Sequence, residues 1–86
     1  GWRDCPFVNQ KLVREYFSIT ETGWYRKMYQ ILTSIAGNAI RRGYPITAAH
    51  IETLCREIDQ ETGLHYKNRP IGVEAERAIL YVLKNQ

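Results

Sequence analysis

The chain has 86 residues, of which 44% are hydrophobic and 24% are charged, and its formal net charge is +3. These values are ordinary for one small globular domain, so they argue against a disordered chain and leave room for a single small core. There is no apolar run of about 18 residues and no signal-peptide pattern, which predicts a cytoplasmic protein that does not cross a membrane.

Eight of the twelve basic residues are Arg, the side chain that suits bidentate phosphate contacts and stacking on bases. The two cysteines, Cys5 and Cys55, show neither C-x-x-C spacing nor a companion His pattern, which predicts reduced thiols and no zinc site. Cys55 lies among apolar residues and is expected in the core. Because the chain begins with Gly rather than Met, we expect a fragment of a longer protein.

Residues 1–8 are predicted to be a lead-in segment, because Pro6 blocks a helix through them. Residues 9–86 then form a single helix-bundle domain. Asn9 is the predicted N-cap of a first helix over residues 10–19.

The longest helical pattern runs from Trp24 to Tyr44 and predicts the central helix of the bundle. Thr20 or Thr22 is expected to cap its start, and Gly43 is expected to end it in a left-handed conformation. Apolar residues recur at steps of three and four, which places them on one helix face. These residues are Trp24, Met28, Ile31, Leu32, Ile35, Ala36, Ala39 and Ile40.

Two further helices are predicted after Pro45. Thr47 is the expected N-cap of the third, which reaches about Thr62 with an acidic outer face comprising Glu52, Glu57, Asp59 and Glu61. The fourth has an apolar stripe of Ala75, Ala78, Ile79, Val82 and Leu83. Because no segment alternates with period two, the predicted fold is all-α, a small bundle of four helices with short loops.

No catalytic or metal-binding motif is present in the sequence. There is no Gly-rich phosphate loop, no G-x-S-x-G and no H-E-x-x-H. The acidic residues of the third helix fit a solvated helix face better than a metal site. We therefore predict no catalytic residue and no metal ligand in this chain.

Basic and aromatic residues are interleaved in three clusters, a pattern typical of single-strand binding. If the second and third helices form an antiparallel hairpin, the first and third clusters meet at one end of the bundle and the second lies at the other. The predicted nucleic-acid-binding residues are Tyr25, Arg26, Lys27, His65, Tyr66, Lys67 and Arg69, with a secondary patch of Arg41, Arg42 and Tyr44. The alternative is structural: Trp24 as a core anchor, tyrosines covering the bundle ends, and Arg beside helix C-termini.

The segment from Gly23 to Tyr81 resembles the helical domain that follows the catalytic domain in primase-polymerases of phages and plasmids. The resemblance rests on the order of short segments rather than on a catalytic signature. These segments are GWYRKMY at 23–29, SIAGNAI at 34–40, GYPIT at 43–47, EIDQETG at 57–63, YKNRP at 66–70 and EAERAILY at 74–81.

The resemblance implies an accessory domain that helps to bind the single-stranded DNA template and the initiating nucleotide for primer synthesis. It places the metal-binding carboxylates and the nucleotidyl-transfer site in a preceding domain of the same chain, where a divalent metal and NTP or dNTP would be used. No cofactor is expected in this fragment, which we expect to be monomeric.

Two other functions fit the sequence. The chain could be a structural or interaction module linking catalytic and helicase domains, for which an exposed apolar patch would be the signature. The turn RRGYPIT could also belong to a helix-turn-helix that binds duplex DNA, but the acidic outer face expected for the third helix would repel phosphates.

Overall fold

The computed structural model describes residues 1–20, 22–62 and 69–86 of the chain. Within these ranges the chain forms one short 3₁₀-helix and four α-helices, without a strand, which confirms the predicted all-α bundle. The 3₁₀-helix covers Trp2–Asp4, and the α-helices are α1 (Gln10–Phe17), α2 (Trp24–Arg41), α3 (Ala48–Thr62) and α4 (Ile71–Lys84).

Three of the predicted helix ends are confirmed by their hydrogen bonds. Asn9 Oδ1 accepts from the backbone N–H groups of Lys11 and Leu12, and Thr47 Oγ1 accepts from the backbone of His50. Gly43 has φ of 71°, and the N–H groups of Gly43 and Tyr44 donate to carbonyls of the last turn of α2. This is the Schellman arrangement that left-handed glycine permits.

The predicted cap of α2 is wrong. Gly23 directly precedes the helix with φ of 93°, so the N-cap position offers no side chain to the first turn. An N-cap side chain must stand on the residue just before the first helical residue, and that position belongs to a residue without a side chain. Neither Thr20 nor Thr22 therefore caps α2.

The core is built around α2, which packs against each of the other α-helices. Six of the eight residues on its predicted apolar face are fully buried, and Trp24 and Ile40 are half-buried. The core also includes residues of the lead-in, since Trp2, Phe7 and Val8 are all buried. The other buried apolar residues are Val13, Tyr16, Ile51, Leu54, Cys55, Ile58, Ile71, Ala75 and Ala78.

Two contacts show that α1 runs antiparallel to α2. Near the start of α2, Lys27 Nζ lies 2.9 Å from Glu15 Oε1 in the second half of α1. Near the end of α2, Asn38 Nδ2 donates to the carbonyl of Phe7, just before α1 begins, at 2.9 Å.

The acidic outer face predicted for α3 is wrong at Asp59, which is 5% exposed. The Tyr16 hydroxyl donates to Asp59 Oδ1 at 2.5 Å, and Tyr16 is itself fully buried. Burial and the neighbouring Asp59 carboxylate raise the pKa of Tyr16 well above its usual value. A carboxylate that would be costly to bury alone is tolerated here because it is hydrogen-bonded.

Two more acidic residues of α3 hold the first residues of the chain. Glu57 Oε1 accepts from the backbone N–H of Trp2 at 3.0 Å. Glu61 accepts from the Trp2 indole at 2.6 Å and forms a two-point ion pair with Arg3. These contacts, led by the hydrogen bond from Arg3, lower the pKa of the Glu61 carboxyl. The outer side of the second half of α3 is therefore occupied by residues 1–3.

The apolar stripe predicted for α4 is confirmed for Ala75 and Ala78, whereas Ile79 and Val82 are only half-buried. It is wrong for Leu83, which is 49% exposed. Val82 in the same turn still packs against the core, and the step of about 100° from Val82 to the next residue turns Leu83 away from it. Val73, Leu80 and Tyr81 of the same helix are also exposed.

Both thiols are free, and Cys55 is fully buried as expected. Burial raises the pKa of the Cys55 thiol to about 12. Because the thiolate is the reactive form, Cys55 is an inert core residue at neutral pH.

We expect Tyr16→Phe to lower the free energy of unfolding by about 2 kcal/mol, the usual cost of losing a hydrogen bond to a buried charged group. Urea denaturation at pH 7 measures it. The matched control is Tyr29→Phe, which removes a hydroxyl for which the structure shows no hydrogen bond. Equal stability of Tyr16→Phe and wild type would contradict a stabilising role for the Tyr16–Asp59 hydrogen bond.

The ion pair at Glu61 predicts a pH-dependent effect of Glu61→Gln. The lowered pKa of Glu61 means that its contribution to stability is present above about pH 4.5 and is lost as the pH falls through the lowered value. The wild type should therefore be more stable than the variant at pH 7, and the difference should shrink towards pH 3. Urea midpoints at several pH values measure it. The control is Glu76→Gln, at an exposed residue that forms no ion pair with the described part of the chain. A difference that does not change with pH would oppose this explanation.

Candidate nucleic-acid interface

The first predicted cluster lies where α2 begins, and Tyr25 is fixed there from two sides. Its hydroxyl donates to Glu74 Oε2 in the first turn of α4 at 2.5 Å. The guanidinium carbon of Arg69 lies 4.0 Å from the centre of the Tyr25 ring. The hairpin geometry predicted that Arg69 would meet the first cluster, and this contact confirms it. We call this region the Tyr25 end of the bundle.

Glu74 is 5% exposed, so the Tyr25 hydroxyl satisfies a buried carboxylate. The backbone carbonyl of Arg69 accepts from Arg56 Nη2 of α3 at 3.2 Å. The backbone of the exposed Arg69 is therefore hydrogen-bonded to α3, and its guanidinium contacts the Tyr25 ring, whose hydroxyl is hydrogen-bonded to α4. A guanidinium this close to an aromatic face is attracted by the ring, which helps to hold Arg69 beside Tyr25.

The other two residues of the first cluster differ in their charge environment. Arg26 is exposed and has no acidic partner in the described part of the chain. The ammonium of Lys27 is paired with Glu15, and its side chain is only 23% exposed. The same contact lowers the pKa of Glu15, so this carboxylate stays ionised at neutral pH. Arg26 rather than Lys27 therefore offers a positive charge at this end.

The predicted residues His65, Tyr66 and Lys67 lie outside the described residues. Arg69 is the first described residue after them. The binding roles assigned to all of these residues stay predictions.

The secondary patch lies at the opposite end of α2, which we call the Tyr44 end. Arg42 Nη1 donates to the carbonyl of Pro6 at 3.2 Å, and the Tyr44 ring lies 4.9 Å from that of Phe7. Arg41 donates to the side-chain oxygen of Asn38. All three predicted residues are exposed, and two of them also hold residues 6–7 against the bundle.

The structure also shows exposed cations that the sequence clusters missed. Lys11 and Arg14 are exposed on α1, where no aromatic residue adjoins them to suggest a binding role. Lys11 precedes Glu15 by one helical turn and shares its face, which is the face that contacts α2. The spacing of four residues between Lys11 and Glu15 shows from sequence that the two share a helix face. That this face lies against α2 follows only from the Glu15–Lys27 ion pair, which the sequence does not reveal.

A surface groove of about 530 Å³ is lined by residues near the start of the chain, by Tyr44 and by the first two-thirds of α3. Its walls include Phe7, Tyr44 and Leu54, and acidic side chains of Asp4 and Glu57 stand at its edge. Because carboxylates repel phosphates, this groove is a poorer candidate for a nucleic-acid site than the basic surfaces.

In the described ranges, no three side chains of His, Cys, Asp or Glu are close enough together to hold a metal ion. None of the helices in those ranges has the length and apolar character that crossing a membrane requires.

Comparisons with protein-family models, curated proteins and solved structures found no match.

Proposed function

We propose that this chain is an accessory helical domain of a DNA primase-polymerase, which binds single-stranded template DNA in support of primer synthesis. Its partners would be the template and the catalytic domain of the same polypeptide, in the cytoplasm, with the helical domain itself monomeric. The initiating nucleotide would be a second ligand. The divalent metal and the NTP or dNTP of the reaction would be held by the catalytic domain.

The observation that supports template binding is the arrangement at the Tyr25 end. An exposed Arg26 stands one residue from Tyr25, and the guanidinium carbon of Arg69 lies 4.0 Å from the centre of the Tyr25 ring. Arginine can bind a phosphate with two parallel hydrogen bonds and can stack on a base. Arg26 is suited to the first contact and Arg69 to the second, with Tyr25 as the residue that positions Arg69.

The proposal is also supported by the acidic side chains, most of which are paired with basic residues of the same chain or buried and so repel phosphates less. Among the described acidic residues of α1 and α3, Glu15, Glu52 and Glu61 are paired with basic residues and Asp59 is buried. The acidic face that argued against phosphate binding is thus smaller than the sequence predicted. The helix-turn-helix alternative gains nothing from this, because residues 1–3 cover the outer side of the second half of α3.

We expect Arg26→Gln and Arg69→Gln each to weaken binding of a fluorescein-labelled 12-nucleotide oligo-dT several-fold in low salt, measured by fluorescence anisotropy. Each lost phosphate contact should reduce the slope of log affinity against log salt by about 0.7. Arg69→Lys keeps the charge but not the planar guanidinium that would stack on a base, so its affinity should fall while its salt slope stays close to that of the wild type. Lys84→Gln, at the far end of α4, is the matched control.

Wild-type protein that does not bind at low salt, or that binds without salt dependence, would overturn the proposal. The link to priming is tested separately, with the full-length enzyme assayed with and without these 86 residues. Primer initiation should be lost while extension of a supplied primer is kept. Equal loss of both would contradict an accessory role in initiation.

A second candidate, an interaction module linking catalytic and helicase domains, is favoured by the outer surface of α4. Four large apolar residues are exposed there: Val73 at 53%, Leu80 at 67%, Tyr81 at 67% and Leu83 at 49%. Clustered apolar exposure of this kind marks surfaces that contact other proteins or domains.

If this surface is covered by a neighbouring domain, Leu80→Glu in the full-length enzyme should speed limited proteolysis between the domains by several-fold. The isolated 86-residue chain should keep its urea midpoint and its oligo-dT affinity, because Leu80 is 67% exposed and lies on α4. Lys84→Gln is again the control. Unchanged proteolysis would remove the support for this candidate.

A further inference from the structure

The outward face of α2 is polar along its whole length and carries an arginine at each end. Four residues spaced by about one or two helical turns lie on this face, opposite the buried one: Arg26, Gln30, Gly37 and Arg41. Arg26, Gln30 and Arg41 are exposed. Gly37 lies under the Arg41 side chain, since a Cβ at residue 37 would stand 3.1 Å from Arg41 Nη1. The Arg41 guanidinium therefore lies back along the helix towards Arg26.

Helix α1 adds a third cation to this face. The Glu15–Lys27 ion pair and the bond from Asn38 to the Phe7 carbonyl hold α1 alongside α2. Lys11 shares the face of Glu15 and lies one turn, about 6 Å, further towards the Tyr44 end. It is exposed and stands between the levels of Arg26 and Arg41. We call Lys11, Arg26, Gln30 and Arg41 the α1–α2 surface.

Acidic charge is almost absent from this part of the chain. The only acidic residue described between positions 5 and 51 is Glu15, which Lys27 neutralises; Glu21 lies outside the described residues. The acidic residues of α3 form hydrogen bonds or ion pairs with Trp2, Arg3, Tyr16 and Arg56. The basic residues between the same positions are Lys11, Arg14, Arg26, Lys27, Arg41 and Arg42.

We propose that the α1–α2 surface is one continuous binding surface for the sugar-phosphate backbone of single-stranded DNA. The Tyr25 end and the Tyr44 end would then be the two ends of one site rather than two separate patches. This proposal rests on the proposed function and deepens it, because it gives the path and the length of the bound strand.

The length follows from helix geometry. Arg26 and Arg41 are separated by fifteen residues, or about 22 Å at 1.5 Å per residue. A stacked single strand carries one phosphate per about 3.4 Å, so about six nucleotides span the site. A strand of three nucleotides reaches only one end.

The test is an anisotropy series with oligo-dT of 3, 6, 9 and 12 nucleotides in low salt. We expect affinity to rise steeply up to about six nucleotides and then only slowly. Arg41→Gln and Lys11→Gln should each weaken binding of the 12-nucleotide strand several-fold and lower its salt slope by about 0.7. Binding of the 3-nucleotide strand should change little. Lys84→Gln, with the same change in charge, should leave both unaffected, and circular dichroism checks that each variant folds.

The outcomes separate this proposal from the proposed function. Binding that is weakened by Arg26→Gln but not by Lys11→Gln or Arg41→Gln, with no gain in affinity beyond three nucleotides, would overturn the continuous surface and leave the Tyr25 end as the site. Failure to bind any length would overturn both. Tighter binding of a 12-base-pair duplex than of the 12-nucleotide strand would overturn the assignment to single strands.

Discussion

Two buried carboxylates, each hydrogen-bonded to a tyrosine, determine how the helices meet in this small bundle. Asp59 accepts from Tyr16 and so joins α3 to α1, while Glu74 accepts from Tyr25 and joins α4 to α2. Both carboxylates are 5% exposed, so the loss of either phenol would leave a charged group with one fewer partner in a poorly solvated position. Such bonds are directional, unlike apolar packing, and they restrict the rotation and register of neighbouring helices.

The same constraint shapes the surface charge. A net charge of +3 suggests a mildly basic protein with mixed charges over its surface. In the folded chain, the acidic residues of α3 accept hydrogen bonds from α1, from the first residues of the chain and from Arg56. Glu74 of α4 accepts one from Tyr25. The exposed cations of α1 and α2 have few such partners. Lys11, Arg14 and Arg26 are exposed without an ion pair in the described part of the chain, and such local charge matters more for an anionic partner than the net value does.

Much of the fold could be predicted because helix periodicity and helix ends are local properties. The caps at Asn9 and Thr47 and the left-handed Gly43 depend on residues within one turn. Asp59 could not be predicted, because its burial depends on Tyr16, which is distant in the chain but adjacent in the fold. Which cations are free of an acidic partner could not be predicted for the same reason. Arg26 and Lys27 are neighbours in sequence, but only Lys27 forms an ion pair with Glu15 where α1 packs on α2.

The position of Trp2 gives the protein an internal optical probe. Trp2 is 6% exposed, its ring packs edge-on against Phe17 at 5.8 Å, and its indole N–H is bonded to Glu61. Its fluorescence depends on whether the first residues remain attached to α3, whereas the half-buried Trp24 stands at the start of α2 beside Tyr25. Replacing one tryptophan at a time would allow detachment of the chain's beginning to be observed separately from melting of the bundle. The two events would then have their own spectroscopic signals within one unlabelled molecule.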